Sequence, residues 1–346
     1  MSGSTAGDGA AGTPGAAGAA PVVLVTSRSF GSGTAPVEAE LAAAGLRVVR
    51  GSTVHDPAEL APLLADAVAW IAGTAPVTDA HLAAAPRLRV VARYGVGVDS
   101  VDLAAAARRG VAVTNTPAAN SDAVADLGVA LLLAALRGVA AGDRAVRAGS
   151  WQPRRGRELG SLTLGVVGLG RVGRGVARRA AGFGTEVLGH DPYLDPVVFE
   201  VLGVRRTPLA DLAGRCDAVS LHAPGGTRVV DERWLAGARP GLIVVNTARA
   251  DLVDEHAVAA ALRDGRLAAY AADTLAGEGG AAAESPLLAA EFADRVVLTP
   301  HLGAQTVEAV DRMGAGAVRA VLDVLAGREP AHPVPLPVPA TEESAP

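Results

Sequence analysis

From about residue 21 to residue 328, short runs of aliphatic and β-branched residues alternate with longer stretches rich in Ala, Leu and Arg. The first runs, at 22–26, 48–50, 69–72, 89–93 and 111–114, predict strands, with a helix near 36–44. A long helix is predicted over 121–148, and Asn120 or Ser121 is placed to cap it, because their short side chains accept from free first-turn amides. A second series of strands is predicted at 163–167, 186–189, 218–222, 242–246, 268–272 and 296–299. Strands alternating with helices in this way predict βαβ units and parallel sheets, here in two units. A last helix, 305–326, follows the second series and is placed to return to the first unit.

The ends read differently. Residues 1–20 are almost entirely Gly, Ala, Ser and Thr and predict a disordered tail. From about Glu329 the chain is Pro-rich and predicts a second tail, with no appended regulatory domain expected. No early positive charge precedes an apolar core, so no secretory signal is expected.

The run Leu164-Gly165-Val166-Val167-Gly168-Leu169-Gly170-Arg171-Val172-Gly173 is a hydrophobic strand leading into GxGxxG, with a helix predicted over 174–183. Gly168 permits a tight turn, Gly170 lets backbone amides approach a pyrophosphate, and Gly173 allows close helix–strand packing. The next predicted strand ends in His190-Asp191-Pro192, and Asp191 lies 18 residues past Gly173. A carboxylate at that spacing accepts from both adenosine-ribose hydroxyls and repels a 2′-phosphate, which favours NAD(H) over NADP(H).

Composition narrows the chemistry. The net charge is −5 and no basic run exists, so a nucleic-acid partner is not expected. All 31 basic residues are arginine, which excludes a Schiff-base lysine and a P-loop lysine. Cys216 is the only cysteine, so neither a disulfide framework nor a cysteine metal cluster is expected, and no metal site is predicted. No apolar run reaches the roughly 18 residues that span a bilayer. The longest, 127–139, is interrupted by Arg137, and a cytoplasmic protein without a membrane partner is expected.

Three segments follow strands of the second series: Asn246-Thr247-Ala248-Arg249, Ala272-Asp273-Thr274-Leu275-Ala276-Gly277-Glu278 and Thr299-Pro300-His301-Leu302-Gly303. Singly, each charge is an ordinary surface group. Together, beyond the carboxyl ends of parallel strands, an Arg, a Glu and a His are placed to converge on one ligand.

These segments, with Arg93-Tyr94-Gly95-Val96-Gly97-Val98-Asp99, Asn115-Thr116-Pro117, Asn120, Leu252-Val253-Asp254-Glu255 and the GxGxxG, make the chain resemble the D-isomer-specific 2-hydroxyacid dehydrogenases, close to the phosphoglycerate-dehydrogenase-like branch. The resemblance covers about 22–326 and implies roles. His301 is the acid/base, Glu278 pairs with it, and Arg249 binds the substrate carboxylate and polarises the carbonyl. Asp273 helps orient the nicotinamide, and Arg171, Val172, Pro192 and Ala248 join the cofactor contacts. Val96 and Gly97 grip the substrate carboxylate from the other domain, with Asn120 nearby. The chain departs from the family at Ser100, Ala250, Thr274-Leu275 and Gly279, none of them a reacting group.

The implied architecture is α/β, with two Rossmann-like or flavodoxin-like parallel-sheet domains and an active-site cleft between them. The substrate domain is expected at 21–117 plus 304–328 and the NAD-binding domain at 118–303. The chain crosses near 117–120 and 300–304, and the protein is expected to be a homodimer. The branch implies interconversion of D-3-phosphoglycerate and 3-phosphohydroxypyruvate. A phosphate wants cationic partners, and the loop 73–78 carries none, so Arg28 is the expected source of one. A glyoxylate/hydroxypyruvate reductase and an NAD(H)-sensing, corepressor-like binding protein are the alternatives. Trp151 is expected to be an anchor, and His222 a packed histidine. His55, His81, His190, His256 and His332 carry no functional expectation.

Overall fold

The computed structural model describes residues 20–278 and 284–337. Residues 1–19 of the expected tail, Gly279, and residues 338–346 lie outside the described residues. Five strands form one sheet: β1 Val22–Val25, β2 Arg47–Arg50, β3 Ala67–Ala72, β4 Val90–Arg93 and β5 Ala112–Thr114, in the order β2-β1-β3-β4-β5. Seven form another: β6 Thr163–Val167, β7 Glu186–His190, β8 Arg205–Arg206, β9 Ala218–Leu221, β10 Leu242–Asn246, β11 Leu267–Ala272 and β12 Val296–Leu298, in the order β12-β11-β10-β9-β6-β7-β8.

All strand pairs in both sheets are parallel. The central strands are buried along their whole length, as in β1 and β10, because helices cover both faces. The chain reverses its winding between β1 and β3 and between β6 and β9. In such sheets ligands bind beyond the carboxyl ends of the strands at those points.

Two helices show how the chain passes between the sheets. Ala125, Leu131 and Leu132 of helix Ser121–Arg137 pack against Val166, Val245 and Ala271 of the second sheet. Met313, Ala317, Val318 and Val321 of helix Val307–Leu325 pack against Val23, Val25, Ile71 and Val90 of the first. The last helix therefore does return to the first unit.

Three expectations are corrected. The helix expected over 121–148 is two, Ser121–Arg137 and Val139–Arg147, bent by 60°. The break is Gly138 at φ 62°, a left-handed conformation that ends the first helix at little cost for glycine. Asn120 occupies the cap position of that helix, but its side chain makes no capping hydrogen bond.

The Pro-rich segment is not free along its described length. Val334 N donates to Val113 O (2.8 Å), Asn115 N donates to His332 O (3.4 Å), and Thr114 bridges Pro333 in antiparallel fashion. This covers the open edge of β5, and Pro333 stands where no donor is needed. Val334 and Leu336 add apolar packing. Among the described residues, no single helix is long and apolar enough to cross a membrane.

Candidate active site

The glycine loop leaves β6 at Gly168, whose φ of 85° and close neighbours both demand glycine: a Cβ there would lie 2.7 Å from Ala223 N. A Cβ on Gly173 would collide with Gly168 O, so this glycine sets how closely helix Arg171–Gly182 packs on the loop. Gly170 differs, since a Cβ there would meet nothing within 4 Å. Two glycines serve the protein's own packing, and the third keeps open space at the helix start.

Gly170 caps that helix without a side-chain bond, leaving first-turn amides, including those of Arg171 and Val172, directed at that space. At the end of β7, Asp191 Oδ2 accepts from Leu169 N (2.9 Å) and Oδ1 from Tyr193 N (3.0 Å). Each oxygen retains acceptor capacity beside the loop, with Pro192 following. The cradle and the oriented carboxylate fit a dinucleotide.

At the end of β10, buried Asn246 shapes the next turn. Its Oδ1 accepts from Ala248 N (3.0 Å) and its Nδ2 donates to Arg249 O (2.8 Å). Arg249 then reaches toward the first sheet. Its Nε donates to Asp99 Oδ2 (3.0 Å) and its Nη1 to Ala248 O (2.9 Å), while Nη2 occupies the place a side chain at Gly97 would need.

The loop bearing Gly97 has its carbonyls fastened from behind. Gly95 O accepts from Thr116 N (2.9 Å), Val96 O from Asn115 Nδ2 (2.8 Å), and Gly97 O from Arg93 Nε (3.0 Å). Among the described residues, the amides of Val96 and Gly97 have no acceptor, so this loop offers N–H groups beside a guanidinium, a cradle for a carboxylate. Arg93 is buried and its Nη1 has no partner among the described residues.

Asp273, buried after β11, accepts from Thr299 Oγ1 (2.5 Å), Leu302 N (2.7 Å) and Gly303 N (2.8 Å). Its carbonyl accepts from His301 N (3.2 Å). These bonds clamp His301 at φ 54°, an uncommon conformation for a side-chain-bearing residue. His301 Nδ1 lies 2.9 Å from Glu278 Oε1. That hydrogen bond raises the imidazole pKa above its ordinary value, outweighing desolvation, and the Glu278 charge adds to it. Nε2 is the ring nitrogen that Glu278 does not engage.

The fold thus joins Arg249 to the Gly97 loop and Glu278 to His301. Asn120 opens a helix whose Val124 Cγ2 is 3.2 Å from where a Gly303 Cβ would stand. Arg28 is exposed beyond β1 and donates to Thr53 Oγ1 (3.3 Å). His222 is packed as expected, bonded to Ser220 Oγ at 2.8 Å, and burial pushes its pKa down to about 4. Trp151, expected as an anchor, is 82% exposed, because residues 150–158 run over the surface between helix and sheet. Sequence reasoning missed Asp99 as the partner of Arg249, and Arg93, Asn115 and Thr116 as the braces of the cradle. Their presence in shared motifs was the signal.

The family described as "D-isomer specific 2-hydroxyacid dehydrogenase, NAD binding domain" matches residues 129–303. D-3-phosphoglycerate dehydrogenase of Mycobacterium leprae is 41% identical over 314 residues, 89% of this chain and 57% of that protein. The chain thus spans little more than half the length of the curated relatives it matches. Among solved structures, the TT0316 protein from Thermus thermophilus superposes with a TM-score of 0.80 at 36% identity, covering 91% of this chain and all of that one. A glyoxylate reductase from Paecilomyes thermophila gives 0.77 at 26% identity, covering 91% and 98%.

Proposed function

The chain belongs to the D-isomer-specific 2-hydroxyacid dehydrogenase family, and on that premise we propose that it interconverts a D-2-hydroxy acid and its 2-oxo acid with NAD(H). The observation that carries this is the pairing of His301 with Glu278 in a chain whose Arg249 reaches the Gly97 cradle. The substrate carboxylate is held by Arg249 and the amides of Val96 and Gly97. Arg249 also stabilises the oxygen as charge develops on it. The His301 proton goes to that oxygen in reduction and returns in oxidation, with Glu278 favouring the imidazolium.

The nicotinamide, when bound, supplies or accepts the hydride at the substrate's C2. The loop from Gly168 to Gly173, Asp191, Pro192 and Ala248 hold the dinucleotide, and Asp273 orients its nicotinamide end while holding the His301 loop. Residues 21–117 with 304–328 act as the substrate domain and 118–303 as the cofactor domain, and closure between them excludes water. The working form is a cytoplasmic homodimer with Val139, Val146 and Trp151 near the interface, exposed apolar groups that a second copy would cover. Sedimentation equilibrium reads that state directly.

For the acid we favour D-3-phosphoglycerate and 3-phosphohydroxypyruvate, supported by the names of the relatives. Arg28 serves as a cation for the phosphate. One observation favours a second reading, a glyoxylate or hydroxypyruvate reductase: no cationic side chain stands in the loop 73–78.

The test is NADH consumption with a panel of 2-oxo acids including phosphohydroxypyruvate, run beside NADPH and His301→Ala. Turnover of one acid with NADH is expected, falling roughly 10²–10⁴-fold in the variant while NADH affinity survives. Tight NADH binding without turnover of any acid would replace the enzyme with an NAD(H)-sensing binding protein.

A further inference from the structure

The first sheet carries a buried polar cluster beyond its carboxyl ends that the proposed reaction does not use. Thr26 Oγ1 accepts from Trp70 Nε1 (2.9 Å) and from Gly73 N (3.4 Å), which fills both of its lone pairs. Its own proton therefore goes to His55 Nε2, 2.6 Å away. With Nε2 accepting, His55 Nδ1 carries the ring proton and donates it to Pro76 O (2.9 Å). His81 Nδ1 accepts from Thr78 N (3.0 Å), so its Nε2 donates to His55 O (3.0 Å).

Both tautomers are fixed by their partners, and both rings are edge-on or tilted to Trp70, at 5.1 and 5.6 Å between centroids. Burial outweighs the bond to Pro76 and keeps His55 down at about 4, so the ring stays neutral. His55 also stands at φ 61°, and a residue holds that conformation only when its surroundings over-determine it.

The cluster ends on a segment that touches the carboxylate cradle. Val77 N donates to Ser100 O (2.8 Å), Asp102 N to Val77 O (2.8 Å), and Ser100 Oγ to Thr74 O (3.1 Å). Residues 98–102 continue directly from Val96 and Gly97. Thr26 and His55 thus reach the cradle through Pro76, Val77 and Ser100.

We infer that Thr26 and His55 are positioning residues for the substrate acid: they fix residues 73–77, and through Ser100 the loop 96–99, at the spacing that its carboxylate requires. The inference rests on the proposed reaction for its catalytic consequence, but not for the coupling between the two loops.

Thr26→Val keeps the shape and removes the hydroxyl, Thr26→Ser restores it, and His55→Asn tolerates the left-handed backbone but is too short to join Thr26 to Pro76. Hydrogen exchange on the full chain is expected to speed up about tenfold in both 73–78 and 96–102 for Thr26→Val and His55→Asn, with the second sheet unchanged and Thr26→Ser like the parent. In steady state, KM for the 2-oxo acid rises about tenfold while kcat and NADH affinity hold, and Thr26→Ser rescues it. Faster exchange confined to 73–78, or an unchanged KM in Thr26→Val, would overturn the inference. If the parent turns over no 2-oxo acid, the proposed reaction falls instead, and the exchange of 96–102 still decides the coupling.

Discussion

His301 gathers three constraints that no single neighbour could supply. Asp273 fixes its backbone, the left-handed φ aims its ring, and Glu278 sets its proton affinity. Because the pKa is raised, the ring stays protonated to higher pH than free imidazole, and in the proposed reaction reduction is expected to fall only as pH rises through the raised value. Glu278→Gln removes the largest cause of the shift, so the alkaline limb of kcat/KM for reduction is expected to move toward acid. The stability that the pair contributes runs the same way: it is present below the unfolded pKa and fades as pH rises through the folded one. A pH–rate profile of the two proteins checks this, and coincident limbs would remove Glu278 from the acid/base pair. The residue types here were legible from order along the chain. The Asp99–Arg249 bond was not, because it joins positions 150 apart whose meeting depends on how two sheets face each other.

Among the elements, the glycine loop separates packing from binding. Gly173→Ala pushes a Cβ into Gly168 O and is expected to cost roughly 1–3 kcal/mol of stability. Gly170→Ala meets open space in the protein and places its methyl in the space proposed for the pyrophosphate. Its melting temperature should match the parent, while NADH binds at least about tenfold more weakly, the equivalent of ~1.4 kcal/mol. Thermal unfolding beside NADH titration distinguishes them, and equal affinity loss without destabilisation in both would show that Gly173 also faces the cofactor. The strands were readable because buried parallel strands are short, apolar and punctuated; the exception is β8, Arg205–Arg206, two exposed arginines at the sheet edge that carry no apolar pattern. The break at Gly138 was not anticipated, since glycine within a helical pattern is often tolerated, and only the turn into the next helix gives it a left-handed backbone.

At the scale of the molecule, the Pro-rich segment links an edge to the site. Asn115 N bonds His332 O, and the same residue's side chain holds Val96 O. Truncation after Arg328 uncovers the β5 edge and removes the packing of Val334 and Leu336. We expect a melting temperature lower by about 2–4 °C, and a KM for the 2-oxo acid higher by a fewfold with NADH affinity intact. A truncated protein with the parent's KM would confine the segment to edge protection.

Period and punctuation along the chain determined the α/β class, the two strand series and the dinucleotide loop, because each depends on residues near in sequence and on backbone rules that act locally. The order of Asn246 to Arg249, Asp273 to Glu278 and Thr299 to His301 likewise marked the strand ends to which the proposed reaction assigns its chemistry. Only the tertiary structure decided which groups meet. It brought Arg249 to Asp99 and Gly97, fastened three loop carbonyls, and joined His55 and Trp70 around the Thr26 hydroxyl, with His81 bonded to His55 O. It also laid proline-rich residues along β5. Such contacts are made between elements distant in sequence, and their distances are set by the packing of whole layers, which no local pattern encodes.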